Sequence, residues 1–176
     1  KTIKSLITIE KKKENLHPLP SKLSDVNNWS TVNKVKLPPS SRSFLLKLTL
    51  NALPSYCRTK HHINRIFYCS CKEPLTLEHF FEDKCYKQIS SGIYRYCEQY
   101  QIQYPKLIVN PNKKNELLSI IFCSVIWKSL MKINHQDYWS IESISDYAKR
   151  RFEDELKQAT LIFPAQYHKY KKLITI

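Results

Sequence analysis

Residues 69–85 read Cys69-Ser-Cys71-Lys-Glu-Pro-Leu-Thr-Leu-Glu-His79-Phe-Phe-Glu-Asp-Lys-Cys85, a C-x-C-x7-H-x5-C pattern. Three thiolates and one imidazole form a full ligand set for a closed tetrahedral zinc site. On this reading Cys69 and Cys71 make a tight N-terminal hook. Thr76 caps a short helix that presents His79, and Cys85 closes the far end. The segment has little apolar material of its own, so metal binding would contribute to its folding. Three thiolates and a neutral imidazole leave the centre with a net charge of about −1, so phosphate contacts must come from the flanks. The alternative is a set of scattered buried cysteines. Cys97 and Cys123 are expected to be such buried thiols, since each lies on an apolar helical stretch. Cys57 stays open between a loop thiol and a core residue. His61 and His62 are either substitute ligands or part of a polar loop.

Outward from this cluster the pattern is helical. A helix start follows Pro39, with Ser40 or Ser41 as the N-cap. It carries Phe44, Leu45, Leu48 and Leu50 and is ended by Leu53-Pro54. Ile89, Ile93, Tyr96, Cys97 and Tyr100 recur at helical spacing and predict an amphipathic helix. Residues 115–133 are apolar nearly all round, which predicts a central buried helix. A last helix is expected over residues 138–158, with Ile141, Ile144, Ala148, Phe152 and Leu156 inward. Residues 1–39 read as a basic linker or extension, with one short strand possible over residues 2–9. Residues 40–176 read as the domain. The expected class is mainly α: a small helical domain built around a Cys-Cys-His-Cys zinc knuckle, behind an extended basic N-terminal segment.

Composition narrows the function classes. The chain has 176 residues, 42% hydrophobic and 25% charged, which excludes wholesale disorder. It holds one glycine, which excludes phosphate loops built on several. The longest apolar run, residues 117–127, contains two serines and reads as too short for a bilayer span. No leader is visible in the opening Lys-Thr-Ile-Lys, and the absence of an initial Met leads us to expect a piece of a longer chain. The six cysteines are therefore expected to be intracellular thiols or metal ligands.

The formal charge is +14, unevenly spread. Residues 1–68 carry thirteen Lys and Arg against three acids, while residues 69–85 carry two against four. That asymmetry points to a polyanion, nucleic acid before membrane. Solubility alone would also call for charge, and 23 lysines against six arginines is a bias that an AT-rich genome imposes by itself. The candidate contact strip is Arg42, Lys47, Arg58, Lys60, His61 and Arg65, with Lys11, Lys12 and Lys13 ahead of it. Tyr56 and Tyr68 lie among these cations and are placed to stack on unpaired bases. The other reading packs both rings on the core, the more so for Tyr68 beside Cys69.

The order of these features resembles the C-terminal zinc-knuckle region of non-LTR (LINE-type) retrotransposon reverse transcriptases. The resemblance spans residues 40–135. It rests on the helix from Phe44 into Leu53-Pro54, the Cys69, Cys71, His79, Cys85 cluster and the Ile126-Trp127-Lys128 helix after it. Leu77, Phe80 and Phe81 take the family's hydrophobic places around the histidine. One extra residue stands between His79 and Cys85. The resemblance implies part of a polyprotein whose other regions reverse-transcribe and nick the target. This part would hold template RNA or target DNA for target-primed reverse transcription, in the nucleus and cytoplasm. No Tyr-x-Asp-Asp motif occurs. Glu82-Asp83 and Glu153-Asp154-Glu155 read as surface charge, the second on a solvated helix face, so no catalysis is expected. A hydrolytic zinc enzyme is disfavoured because four protein ligands leave no position for water. A zinc-stapled protein-interaction domain, of transposon or host origin, is the alternative from another class.

Overall fold

A computed structural model describes residues 34–50, 52–55, 67–69, 71–81, 86–107, 109, 117–135 and 140–173. The longest uninterrupted apolar stretch sets the architecture. Helix α4 is Leu117–His135; its residues 117–127 are all buried, so other elements must surround it. Helix α1, Pro39–Thr49, packs on α4 through Phe44, Leu45 and Leu48. Helix α5, Ile141–Ile162, packs on α4 and on α3, Lys87–Gln99. Helix α2 is the single turn Leu77–Phe80. A short α6, Pro164–Tyr167, and a 3₁₀ turn, His168–Leu173, fold back against α5. The described residues are mainly helical and contain no strand; their one β-bridge joins Tyr68 and Pro74.

The expected helices are present, with physical corrections at their ends. Helix α1 begins at Pro39 and has no side-chain cap: Pro38 holds the N-cap position and proline starts the first turn. Ser40 and Ser41 are not capping residues. Both turn inward, Ser40 toward Lys128 and Ser41 toward Glu155. Helix α5 starts at Ile141, where Ser140 accepts the Ser143 N–H at 3.1 Å, and runs to Ile162 rather than residue 158. Ile144, Ala148, Phe152 and Leu156 are buried as their spacing requires. Core packing also reaches upstream of Pro39, since Val35 and Leu37 are buried. The strand considered for residues 2–9 lies outside the described residues.

The apolar stretch of α4 is longer than residues 117–127 suggest. Leu117–Asn134 is long and apolar enough, by length and composition, to cross a membrane. In this fold 72% of it is buried among its neighbours, as a central helix requires. The chain's one glycine serves the α3–α5 contact. The Gly92 N–H donates to Ser145 Oγ at 2.9 Å, and a Cβ there would stand 2.8 Å from the Ser145 carbonyl oxygen. Only a residue without a side chain permits that approach.

Candidate metal centre

Two short elements bring three of the four sequence-predicted ligands together. The first is a tight hairpin. The Leu75 N–H donates to the Phe67 carbonyl at 3.0 Å, and the Cys69 N–H donates to the Glu73 carbonyl at 2.8 Å. Phe67 and Leu75 are buried and root the hairpin in the core. At its tip the Lys72 N–H donates to the Cys69 carbonyl at 2.9 Å, and Lys72 takes a left-handed conformation, φ 69°. A turn followed by a left-handed residue is a regular way to close a hairpin, and here it carries the two cysteines. Cys69 is buried, whereas Cys71 is exposed.

The second element is α2. Thr76 caps it as expected, accepting the His79 N–H at 3.0 Å. The His79 carbonyl accepts from the Tyr86 hydroxyl at 3.1 Å. Phe80, the next residue, is fully buried. Its ring stands 4.9 Å from Trp127, 5.3 Å from Tyr86 and 6.4 Å from Phe44, centroid to centroid. Thus α1, α4 and the start of α3 hold the backbone of His79 through its neighbour. Leu77 and Phe81 are buried too.

The outcome is convergence. Cys71 Sγ lies 3.2 Å from His79 Nε2. The donor atoms of Cys69, Cys71 and His79 all lie within 4.8 Å of one another, a group able to hold a metal ion. Cys85, the fourth expected ligand, lies outside the described residues, as do Cys57 and His62. Cys97 and Cys123 are fully buried on α3 and α4 and take no part in the cluster, as expected.

The basic strip is described only in part. Arg42 and Lys47 are exposed on α1, and an Arg42 guanidinium N–H donates to the Val35 carbonyl at 3.2 Å. Tyr56, Arg58, Lys60, His61 and Arg65 lie outside the described residues, as do Lys11, Lys12 and Lys13. Tyr68 does not pack on the core: it is 44% exposed. Alternation along the hairpin explains this, because buried Phe67 and Cys69 flank it.

Glu155 corrects the expectation of a solvated acidic face. Asp154 is exposed and Glu153 pairs with Lys157 at 2.8 Å, but Glu155 is buried, 2% exposed. It accepts from Ser41 and from Lys128 Nζ, the latter at 2.9 Å. Burial pulls the Lys128 ammonium below the ordinary lysine range, against the opposing pull of Glu155. The signal was available. Position 155 is three residues after Phe152 and four before Ala159, on the inward stripe of α5.

Exposure and acidity separate the thiols. Burial pushes the Cys97 thiol up to about 12, which leaves almost no thiolate near neutral pH. In chelator-treated native protein, iodoacetamide at pH 8 is expected to modify Cys71 and to spare Cys97 and Cys123 until denaturant is added. Peptide mass mapping reads this directly, and early modification of Cys97 would contradict its place in α3.

No family model matches the chain, and neither a curated protein nor a solved structure resembles it significantly.

Proposed function

We propose that this chain is a zinc-stabilised nucleic-acid-binding domain, of the kind found at the C-terminus of LINE-type retrotransposon reverse transcriptases. Cys69, Cys71, His79 and Cys85 are its zinc ligands. The observation that carries the reading is the convergence of two thiols and one imidazole from a hairpin and a capped helix. Ligands of a tetrahedral zinc stand about 3.5–3.8 Å apart, close to the 3.2 Å between Cys71 and His79. The donor set suits zinc chemically: thiolates and an imidazole favour it over the hard cations. The ion would be structural, holding the hairpin to α2. In the sequence Cys85 stands between Phe81 and Tyr86, whose rings both pack against Phe80.

Nucleic-acid contact belongs to the basic flank: Arg42, Lys47, Arg58, Lys60, His61 and Arg65, with Tyr56 for stacking. The net charge of +14 and the acidic balance of residues 69–85 support that division of roles. The domain has no reaction of its own. It positions template RNA or target DNA for the rest of a parent chain, in the nucleus and cytoplasm.

A second reading, a zinc-stapled domain with a protein partner, draws on one observation. Leu161 and Ile162 are 63% and 51% exposed, and Ile162 lines a groove of about 450 Å³ with Leu37, Leu46, Phe163 and Arg42.

Elemental analysis and a salt titration test the proposal together. We expect one zinc per chain, lost in Cys71→Ser. The variant Arg58→Glu/Lys60→Glu should keep its zinc and bind RNA and DNA more weakly across sequences. Each lost phosphate contact should flatten the slope of log K against log salt by about 0.7–0.9. Zinc-free parent protein overturns the metal site. Unchanged affinity and slope in the zinc-loaded variant move the partner surface elsewhere and favour the protein-interaction reading.

A further inference from the structure

The two halves of the metal centre are both fixed to α4. On the histidine side, Phe80 meets Trp127 at 4.9 Å between ring centroids. On the thiolate side, the side-chain amide of Asn134 closes a three-bond clamp. Its Oδ1 accepts the Tyr68 N–H at 2.7 Å, and its Nδ2 donates to the Tyr68 carbonyl at 2.7 Å and to the Leu130 carbonyl at 2.9 Å. Tyr68 is the residue before Cys69.

The hairpin explains why such a clamp is needed. Its two cross-strand bonds, Leu75 to Phe67 and Cys69 to Glu73, flank the Tyr68–Pro74 pair. In that pattern the N–H and C=O of Tyr68 point away from the partner strand, toward the open edge. Edge groups need partners. On the opposite strand the outward position is held by Pro74, which has no N–H to satisfy. On the Tyr68 side Asn134 supplies both a donor and an acceptor, as a third strand would. Trp127 and Asn134 are seven residues apart, two turns along one face of α4, a separation of about 10 Å. That face thus acts as a ruler between hairpin and histidine.

We infer that Asn134 is a positioning residue of the metal centre: it docks the Cys69–Cys71 hairpin on α4 at the register where both sulfurs meet His79. This rests on the metal-site reading above and adds a residue that touches no metal. The orientation of the amide is set by its partners, because only one assignment of oxygen and nitrogen satisfies all three bonds.

Cobalt(II) and zinc titrations of the full chain test it, with affinity read by chelator competition and geometry by the ligand-field absorption of cobalt. Loss of an outer partner typically lowers metal affinity by about 10–100-fold, and Asn134→Ala is expected to fall in that range with an altered cobalt spectrum. Asn134→Asp keeps an acceptor for the Tyr68 N–H but loses both donations, so it should fall between Ala and the parent. Gln99→Ala, at an exposed position on α3, should match the parent. Parent-like affinity and spectrum in Asn134→Ala or in Asn134→Asp would overturn the inference, as would a fall in thermal stability alone. A parent chain that binds neither metal instead removes the metal-site reading itself, an outcome visible before any variant is made.

Discussion

Phe80→Ala is expected to cost about 3–5 kcal/mol of folding stability, the range for deleting a fully buried aromatic ring. Phe80 has no exposed surface, and its ring contacts Phe81, Tyr86 and Trp127 at centroid distances of 4.9, 5.3 and 4.9 Å. These neighbours come from three separate elements, so no single side-chain motion can fill the space. The edge-on and tilted ring pairs add about 0.5–1.5 kcal/mol each beyond the area they bury. Set against a typical domain stability of about 5–15 kcal/mol, the loss is large. Urea denaturation should show a much lower midpoint at an unchanged slope. Phe80→Leu, which keeps most of the apolar volume, should cost less. Because His79 precedes this ring, Phe80→Ala should also weaken the proposed metal binding, whereas a loss below about 1 kcal/mol would mean that the aromatic cluster is not the anchor of α2.

Much of this arrangement is legible in the sequence, for reasons that differ by residue. The buried stripes of α3 and α5 follow from spacing, since Ile89, Ile93, Tyr96 and Cys97, or Ile144, Ala148, Phe152 and Leu156, fall on one face of any regular helix. Thr76 was readable because a hydroxyl three residues before a histidine amide meets the geometric demand of an N-cap. Cys69, Cys71 and His79 were readable because few other chemistries place those residue types so close in sequence. What escaped depends on partners distant in sequence. Ser41 looked like a cap, yet its partner is 114 residues away. Asn134 lies at the end of a helix whose pattern is mostly apolar, and its partner is 66 residues upstream. Its place beside the candidate ligand Cys69 suggests that Tyr68 faces inward, but a hairpin alternates faces, and burying Cys69 sends its neighbour outward. Local pattern sets which face of an element is buried. It does not set which polar groups meet once the faces are joined.

The same distinction governs Glu155, whose removal should be the other severe change. Glu155 joins three helices: Ser41 of α1, Lys128 of α4, and α5 itself, with Arg151 Nη2 at 4.0 Å. Glu155→Ala takes away the carboxylate and leaves two cationic groups and a buried hydroxyl facing one another. Breaking a buried pair from one side costs about 3–5 kcal/mol, because the surviving charge stays desolvated. Lys128 is 29% exposed and can turn its head partly toward water, which places the expected loss near the lower end, about 3 kcal/mol. Glu155→Gln keeps the shape and removes the charge. It also removes the pull that opposes burial at Lys128, so the lysine pKa should fall further in that variant. The double variant Lys128→Met/Glu155→Met is the decisive comparison. With the charges of this pair gone and similar volume in place, most of the single-variant loss should be recovered, less what the buried Ser41 hydroxyl costs without the carboxylate. Denaturant midpoints for the parent, both single variants and the double variant give the coupling between the two positions. If the double variant is as unstable as the two single losses added together, the residues are not a pair and the polar junction among α1, α4 and α5 is misassigned.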